Sequence, residues 1–405
     1  MPEIRILKVS DVHFPRVNGV STSIETFRQA LSEFGVEVRL VVPRYGMEST
    51  EPGVVRVLGR PVPGDPEDRL VHWGAMHRAV RQAALECDLI HIQTPFIAHP
   101  AGVKAARALG LPVIATYHTL FEEYLQHYAP FLPKSWLRAL ARQISRRQCN
   151  ALDAVIVPSS ALRQRLTAYG VTAPIHVLPT GIPLSRFSTG DRARFRARHG
   201  IAPDQPVILY VGRVAFEKNI GFLLDMFALA LKTRPDLLFL VTGHGPAVPE
   251  LKAQADRLGI SHAVRFLGYL DRNGELQDCY AAADAFVFAS RTETQGLVLL
   301  EAMAMGLPVV ALAEMGTVDI LSSGKGCVVP RHDAQDFATA LAALLSEPER
   351  LHRLAEDARS YATTWSDQAM AGRLAQLYRQ LLADAPDTPT NVGCGEERSA
   401  PGTPR

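Results

Sequence analysis

The sequence predicts an α/β protein of two domains, each a parallel sheet with helices packed against it. Three observations predict this. Short apolar runs alternate with helix-patterned stretches from the N-terminus onward, the rhythm of βαβ units. That rhythm breaks near Gly181–Thr189 and restarts at Pro206–Gly212. At 405 residues the chain is long enough for two domains of ordinary size.

Taken in order, Ile4–Ser10 is the first strand, followed by the loop Asp11–Val20 and a helix from about Ser21 to Glu33. Ile24, Phe27, Leu31 and Phe34 give that helix one apolar side, Gly35 ends it, and Val36–Val42 is the second strand. Asp88–Gln93 and Pro112–Thr119 are further strands. The latter carries His118 at its C-terminal end, the edge where parallel sheets hold ligands. A packed or capping histidine reads equally well there. Lys134–Arg147 is a basic amphipathic helix. Lys134, Arg138, Arg142 and Arg146 form one stripe; Leu137, Leu140 and Ile144 form another, with Trp136 beside them. No acid occurs between Glu123 and Asp153. Such a helix is either a domain helix with a solvated basic face or an interfacial helix drawn to anionic headgroups. Ala154–Ser160 is a strand leading to a helix capped by Ser159 or Ser160. Ile175–Pro183 closes the first domain.

In the second unit, Arg213 and Lys218 lie just beyond the strand Pro206–Gly212. Two cations five apart in such a loop can converge on a diphosphate, although a plain surface loop is the alternative. Phe239–Pro246 is a strand and turn in which Gly243 and Gly245 leave the backbone open to a base or ribose. Arg265–Leu270 is another strand. Asp284–Ser290 is a buried strand, then comes a loop, a helix opened by Gly296 and ended by Gly306 and Pro308, and a strand from Val309. The amides of Thr294, Gln295, Gly296 and Leu297 at that turn make an anion site. Glu293 and Glu301 bracket it, which suits a ligand with phosphates in the middle and hydroxyls at both ends. Helices run from about Ala334 to Thr364 and again over 367–383.

Composition is that of an ordinary globular protein, with 47% apolar and 21% charged residues and a net charge of +2. That balance argues against a nucleic-acid partner. No apolar run reaches the ~20 residues of a membrane span, and the first residues lack a signal-peptide pattern. Five scattered cysteines with no Cys-x-x-Cys point to neither a disulfide framework nor a zinc site, so a reducing cytoplasm is expected.

Glu293-x7-Glu301 followed by Ala302-Met303-Ala304-x-Gly306-x-Pro308-Val309-Val310 resembles the signature of family-4 retaining glycosyltransferases of the GT-B fold. Gly212-Arg213…Glu217-Lys218 and Gly243-x-Gly245-Pro246 resemble further motifs of that family. Thr116-Tyr117-His118-Thr119, with Tyr124 and Tyr128, resembles its acceptor-side motif and looks closest to bacterial diacylglycerol glucosyltransferases. Thr294-Gln295-Gly296, where many relatives carry Phe in place of Gln295, looks like the same branch.

The resemblance implies two Rossmann-like domains facing across a cleft. Residues 1–183 would bind acceptor and 184–366 the nucleotide sugar. A helix over 367–384 would cross back to the first domain, and 385–405 would be a disordered tail. Gly19 would let backbone approach the donor phosphate, Glu293 would hold sugar hydroxyls and Glu301 the ribose. His118 would lie against the transferred sugar or the acceptor, with Tyr117, Tyr124 and Tyr128 on the acceptor side. The implied reaction moves a hexose, expected to be glucose from a UDP-sugar, to a hydroxyl of a membrane lipid such as diacylglycerol. No Asp-x-Asp triplet occurs. Charge on the leaving phosphate is therefore expected to meet Arg213, Lys218 and the loop amides, with no metal and no cofactor. The expected partners are a nucleotide sugar, a lipid acceptor and an anionic membrane surface, at the inner face of the cell membrane. A GDP-mannose donor, a soluble sugar or polyol acceptor, and a non-catalytic nucleotide-binding protein are the alternatives. A dehydrogenase is not, because the first loop has one glycine where G-x-G-x-x-G needs three.

Overall fold

The computed structural model describes residues 4–16, 18–62, 65–118 and 134–384. They form two sheets. The first contains β1 (Ile4–Val9), β2 (Val36–Arg44), β3 (Val54–Val62), β4 (Asp65–Val71), β5 (Leu89–Ile92), β6 (Val113–Thr116), β7 (Ala154–Val157) and β8 (Ile175–Val177). Its order is β4-β3-β2-β1-β5-β6-β7-β8, parallel except for the edge pair β3–β4. The second contains β9 (Val207–Val211), β10 (Leu238–Thr242), β11 (Val264–Gly268), β12 (Ala285–Phe288), β13 (Val309–Ala311) and β14 (Cys327–Val328), in the order β11-β10-β9-β12-β13-β14, all parallel. The two-domain α/β architecture expected from the sequence is the one observed.

The central strands are apolar throughout because helices cover both faces of each sheet. In β1, Ile4 and Ile6 pack with Ile24 and Phe27 of the helix Gly19–Leu31, whereas Leu7 and Val9 pack on the opposite face. That first helix begins two residues earlier than its pattern suggested. Asn18 is the cap: its side chain accepts from the amides of Val20 and Ser21, and Ser21 Oγ accepts from Asn18 N–H. A serine where the sequence signature has Glu or Gln hides this capping box. The cap expected from Ser159 or Ser160 is also different. Ser159 precedes the helix Ser160–Ala168 without a side-chain capping bond; Asp319 of the second domain accepts from Ser160 N–H at 2.7 Å instead.

The chain crosses between the sheets twice, and the crossings lie side by side. Ile182 N–H donates to Trp365 O, and Asp367 N–H donates to Ile182 O, both at 2.9 Å. A Cβ on Gly181 would meet Asp367 Cα at 2.5 Å, so this contact demands glycine. The helix Asp367–Ala383 then packs on the first sheet through Met370, Leu374 and Tyr378, and the Tyr378 hydroxyl bonds His91 Nδ1 at 2.7 Å.

Lys8 is the exception in β1. It points into the core at 1% exposure, 5.0 Å from the Phe27 ring centroid, with no hydrogen-bond partner for Nζ among the described residues. Burial pushes its pKa down to about 7, against the opposing pull of Glu25. Between that value and 10.5 the unfolded chain holds a proton the folded one lacks, so stability rises with pH across that window. Lys8→Met is expected to raise thermal stability, by roughly 1–4 kcal/mol at pH 6 and by much less at pH 10. Melting curves at the two pH values check it; an equal gain at both would show that charge burial is not the cost.

Candidate active site

In each sheet the strand order reverses beside the first strand, between β1 and β5 and between β9 and β12. Loops leaving the C-terminal ends of such neighbours diverge and open a crevice. The two crevices face one another and merge into a cleft of about 2040 Å³, lined by Asp11, Gly19, His118 and Thr180 of the first domain and by Lys218, Glu293 and Glu301 of the second, among others.

The second-domain wall is charged and ordered. Lys218, from the loop after β9, reaches across the switch point to Glu293, from the loop after β12, with Nζ–Oε1 at 2.6 Å and both side chains 19% exposed. Arg213 stands further out, 65% exposed and 3.8 Å from Glu217. Gly296 has φ +95°, which glycine tolerates, and opens the helix Leu297–Ala304. Glu301, one turn in, is 4% exposed, so it is not a solvated helix-face acid. It pairs with Arg272, and its Oε2 accepts from the Tyr280 hydroxyl at 3.0 Å. The Glu301 charge pushes the Arg272 pKa up, and burial pushes that of Tyr280 well up. Gly243 and Gly245 line the cleft, but the space a side chain would take is filled by the protein itself. A Cβ would stand 1.9 Å from Gly212 O and 2.1 Å from Val214 O, respectively. These glycines therefore serve the close packing of two loops while their backbone lines the cleft. Gly19 is the reverse case: a Cβ there meets nothing within 4 Å, so the free protein places no demand for glycine at that helix start.

On the first-domain wall, His118 Nε2 lies 3.2 Å from Gln93 Oε1. Gln93 Nε2 is turned to His91 O, which makes His118 Nε2 the donor and leaves Nδ1 a lone pair. Burial and the nearby Lys8 charge push His118 down to about 3, so it is neutral at any working pH. Asp11, in the β1 loop, accepts from Thr94 Oγ1 at 2.7 Å and from Ala98 N–H at 3.0 Å, closing the switch point on this side. Burial lifts its pKa to about 6. Tyr117 is buried, and its hydroxyl bonds Ser145 Oγ at 2.8 Å, anchoring the basic helix. Tyr124 and Tyr128 lie outside the described residues.

The basic helix, Lys134–Cys149, turns Arg138, Arg142 and Arg146 outward. The expected apolar stripe divides. Leu137 enters the core with Ala141, whereas Leu140 is 50% and Trp136 77% exposed. Residues four apart from Leu137 are buried, and Trp136 and Leu140 lie on one flank of that face, turned to solvent. Arg142 stacks over Tyr169 at 5.5 Å.

Sequence reading missed Arg272, Tyr280, Asp11 and Thr180. Arg272 sits in the loop after β11 and Asp11 in the loop after β1, both at the C-terminal sheet edge, which was a usable signal; Tyr280 and Thr180 carry none, because only folding brings them to their partners. Among the described residues, no group of three or more His, Cys, Asp or Glu side chains is placed to hold a metal.

Residues 17–186 match the model for Glycosyltransferase Family 4, and residues 191–361 that for Glycosyl transferases group 1. The chain is 34% identical over 321 residues to the alpha-monoglucosyldiacylglycerol synthase of Streptococcus pneumoniae, covering 76% of this chain and 71% of the relative. The chain is a family-4 glycosyltransferase. It is also 27% identical over 392 residues to the enzyme of the same name from Acholeplasma laidlawii, covering 94% of this chain and 98% of that one. Its fold is GT-B. The solved sucrose-phosphate synthase of Thermosynechococcus elongatus matches with a TM-score of 0.77, at 22% identity, over 94% of this chain and 100% of that one. The cleft of this glycosyltransferase is thus the interdomain cleft of a two-domain sugar transferase.

Proposed function

We propose that this glycosyltransferase moves glucose, with retention, from UDP-glucose to a hydroxyl of diacylglycerol at an anionic membrane surface. The observation that carries the reading is the pair of ion-paired acids on one short segment, the partly buried Glu293 on Lys218 and the buried Glu301 on Arg272 and Tyr280, at the switch point of the second sheet. Glu301 is set for ribose hydroxyls and Glu293 for those of the sugar. Lys218, Arg213 and the amides of Thr294–Leu297 meet the diphosphate. The acceptor oxygen bonds to the anomeric carbon, the bond from that carbon to the β-phosphate oxygen breaks, and UDP leaves with the acceptor proton. His118, neutral and fixed by Gln93, orients hydroxyls through Nδ1. Cofactor and metal are absent from this scheme, so transfer is expected to survive EDTA. The two named lipid glucosyltransferases support the acceptor, as do Phe96, Leu70 and Met47, exposed at 45%, 60% and 97% along the first-domain rim of the cleft.

Thermal shift with UDP, GDP, ADP and CMP tests the donor. A ligand at 100 times its dissociation constant adds about 2.7 kcal/mol of stability. A shift with GDP and none with UDP would overturn the UDP reading and favour a mannosyl donor. Transfer of labelled glucose to diacylglycerol tests the acceptor.

Among the described residues no helix is long and apolar enough to cross a membrane. Attachment is instead assigned to Lys134, Arg138, Arg142 and Arg146, with Trp136 and Leu140 exposed on the same helix. Each cation near an anionic surface contributes about 1 kcal/mol, at most ~4 for four, screened over about 10 Å at 0.1 M salt. The protein is expected to sediment with liposomes of phosphatidylglycerol, to stay free of neutral ones, and to be released by high salt. Changing the four cations to Gln should abolish that binding and leave donor hydrolysis intact. Binding indifferent to lipid charge and to the four changes would move the acceptor assignment to a soluble sugar or polyol.

A further inference from the structure

Two side chains tie the domains together: one lies on the loop that carries Glu293, and the other sits on a helix whose preceding residue is hydrogen-bonded to that loop. Gln295 is 6% exposed. Its Oε1 accepts from Thr180 N–H at 2.9 Å, and its Nε2 donates to Thr180 O at 2.7 Å. One side-chain amide thus pairs both backbone groups of a first-domain residue, as an adjacent strand would. Thr180 lies two residues before the crossing at Ile182, so Gln295 grips the connection between the domains. The Thr180 hydroxyl then meets Ser23 Oγ, on the helix Gly19–Leu31, at 2.8 Å. A hydrogen-bonded path therefore joins the Glu293 loop to the helix that starts at the cleft.

The second tie is Asp319, on the short helix Thr317–Leu321. Its carboxylate accepts from Ser160 N–H at 2.7 Å and from the Ser160 hydroxyl. The helix Ser160–Ala168 has no side-chain cap from its own domain, and Ser159 Oγ is buried without a partner among the described residues. A first-domain helix thus takes its cap from the second domain. Asp319 is coupled to the same loop from behind. Gly316 N–H donates to Glu293 O at 2.8 Å, and a Cβ on Gly316 would stand 2.1 Å from Thr294 O.

We propose that Gln295 and Asp319 are positioning residues: two interdomain latches that hold the cleft closed and set the loop Glu293–Gly296, so that the donor wall is complete only in the closed arrangement. The effect on donor binding rests on the reading of that loop as the donor side. Water replaces every one of these hydrogen bonds on opening, so the latch is weak enough to release. Loss of a latch enlarges the open population, and apparent donor affinity falls with the closed fraction.

Small-angle scattering of the ligand-free full chain should show a larger radius of gyration for Asp319→Ala and Gln295→Leu than for the wild type, larger still for the double variant. Saturating UDP should restore the wild-type value. Calorimetric UDP affinity should fall roughly tenfold for each single variant. Asp319→Asn keeps one acceptor oxygen for Ser160 N–H and should fall between. Asp319 does not line the cleft. Its alanine variant should therefore raise donor KM about tenfold while kcat at saturating donor stays within about threefold. A lower melting temperature with unchanged radius and unchanged UDP affinity is what a purely structural cap gives, and overturns the proposal. Should Asp319→Ala fail to fold, Asp319→Asn and Ser160→Ala carry the same comparison. If the wild type binds no UDP, the donor reading falls, and the scattering of the free proteins still decides the latch.

Discussion

Lys218→Ala is expected to cut turnover by roughly 10²–10³, the scale of losing one preorganised charge donor to the leaving group. The geometry makes the loss double. Lys218 would meet the diphosphate, and it also neutralises Glu293 at 2.6 Å in a site only one-fifth exposed. Alanine leaves a bare carboxylate where a dianion must bind, and like charges at that range repel strongly in a partly dry cleft. Removing that carboxylate as well should restore part of the donor affinity. The double variant Lys218→Ala/Glu293→Gln is therefore predicted to bind UDP more tightly than Lys218→Ala alone, although transfer stays low. Additive losses in the double variant would show that the ion pair plays no part in donor binding. Arg213→Ala is expected to lower turnover on the same 10²–10³ scale by a single route, the loss of clamp charge, because its partner Glu217 is distant and exposed.

Glu301→Ala is expected to cost both stability and donor binding. It strips Arg272 of its counter-ion and Tyr280 of its acceptor in one step. Breaking a buried pair from one side costs about 3–5 kcal/mol, reduced here to about half because Arg272 keeps a 35% exposed side chain. Glu301→Gln separates the two roles. The amide oxygen still accepts from Arg272, so folding should be largely preserved, whereas the ribose loses a charged acceptor and UDP affinity should drop about tenfold. Acceptor binding should be untouched. Melting curves and UDP calorimetry on both variants check this. A glutamine variant with wild-type UDP affinity would make Glu301 purely a structural anchor for Arg272.

Much of the second-domain wall was legible because its chemistry is local in sequence. Arg213 and Lys218 stand within six residues of one strand end, and Glu293, Gly296 and Glu301 lie on one loop and helix. What was not legible is which charges meet. The approach of Lys218 to Glu293 spans 75 residues and follows from the adjacency of β9 and β12. The burial of Glu301 follows from Arg272 and Tyr280, which belong to the loop after β11 and to the helix Glu275–Ala282 that follows it. The Gly243–Gly245 turn lines the cleft as read, but its other side is packed on the loop after β9, because a sequence cannot say on which side of a glycine the next loop lies. Leu137 and Leu140 were read as one apolar stripe, and only Leu137 is buried, because spacing alone does not fix which edge of a stripe the sheet is set against.

The sequence by itself determined the two α/β units, the strands whose C-terminal loops line the cleft, the loop-and-helix segment from Glu293 to Glu301 and the basic helix. These are written in short-range periodicity and turn chemistry, which act over a few residues of chain. Only the tertiary structure decided that Gln295 holds Thr180, that Asp319 caps a helix of the other domain, and that Lys8 lies buried against Phe27. Those contacts join residues separated by 115, 159 and 19 positions. Their partners are chosen by strand order and domain docking, and no local propensity encodes either.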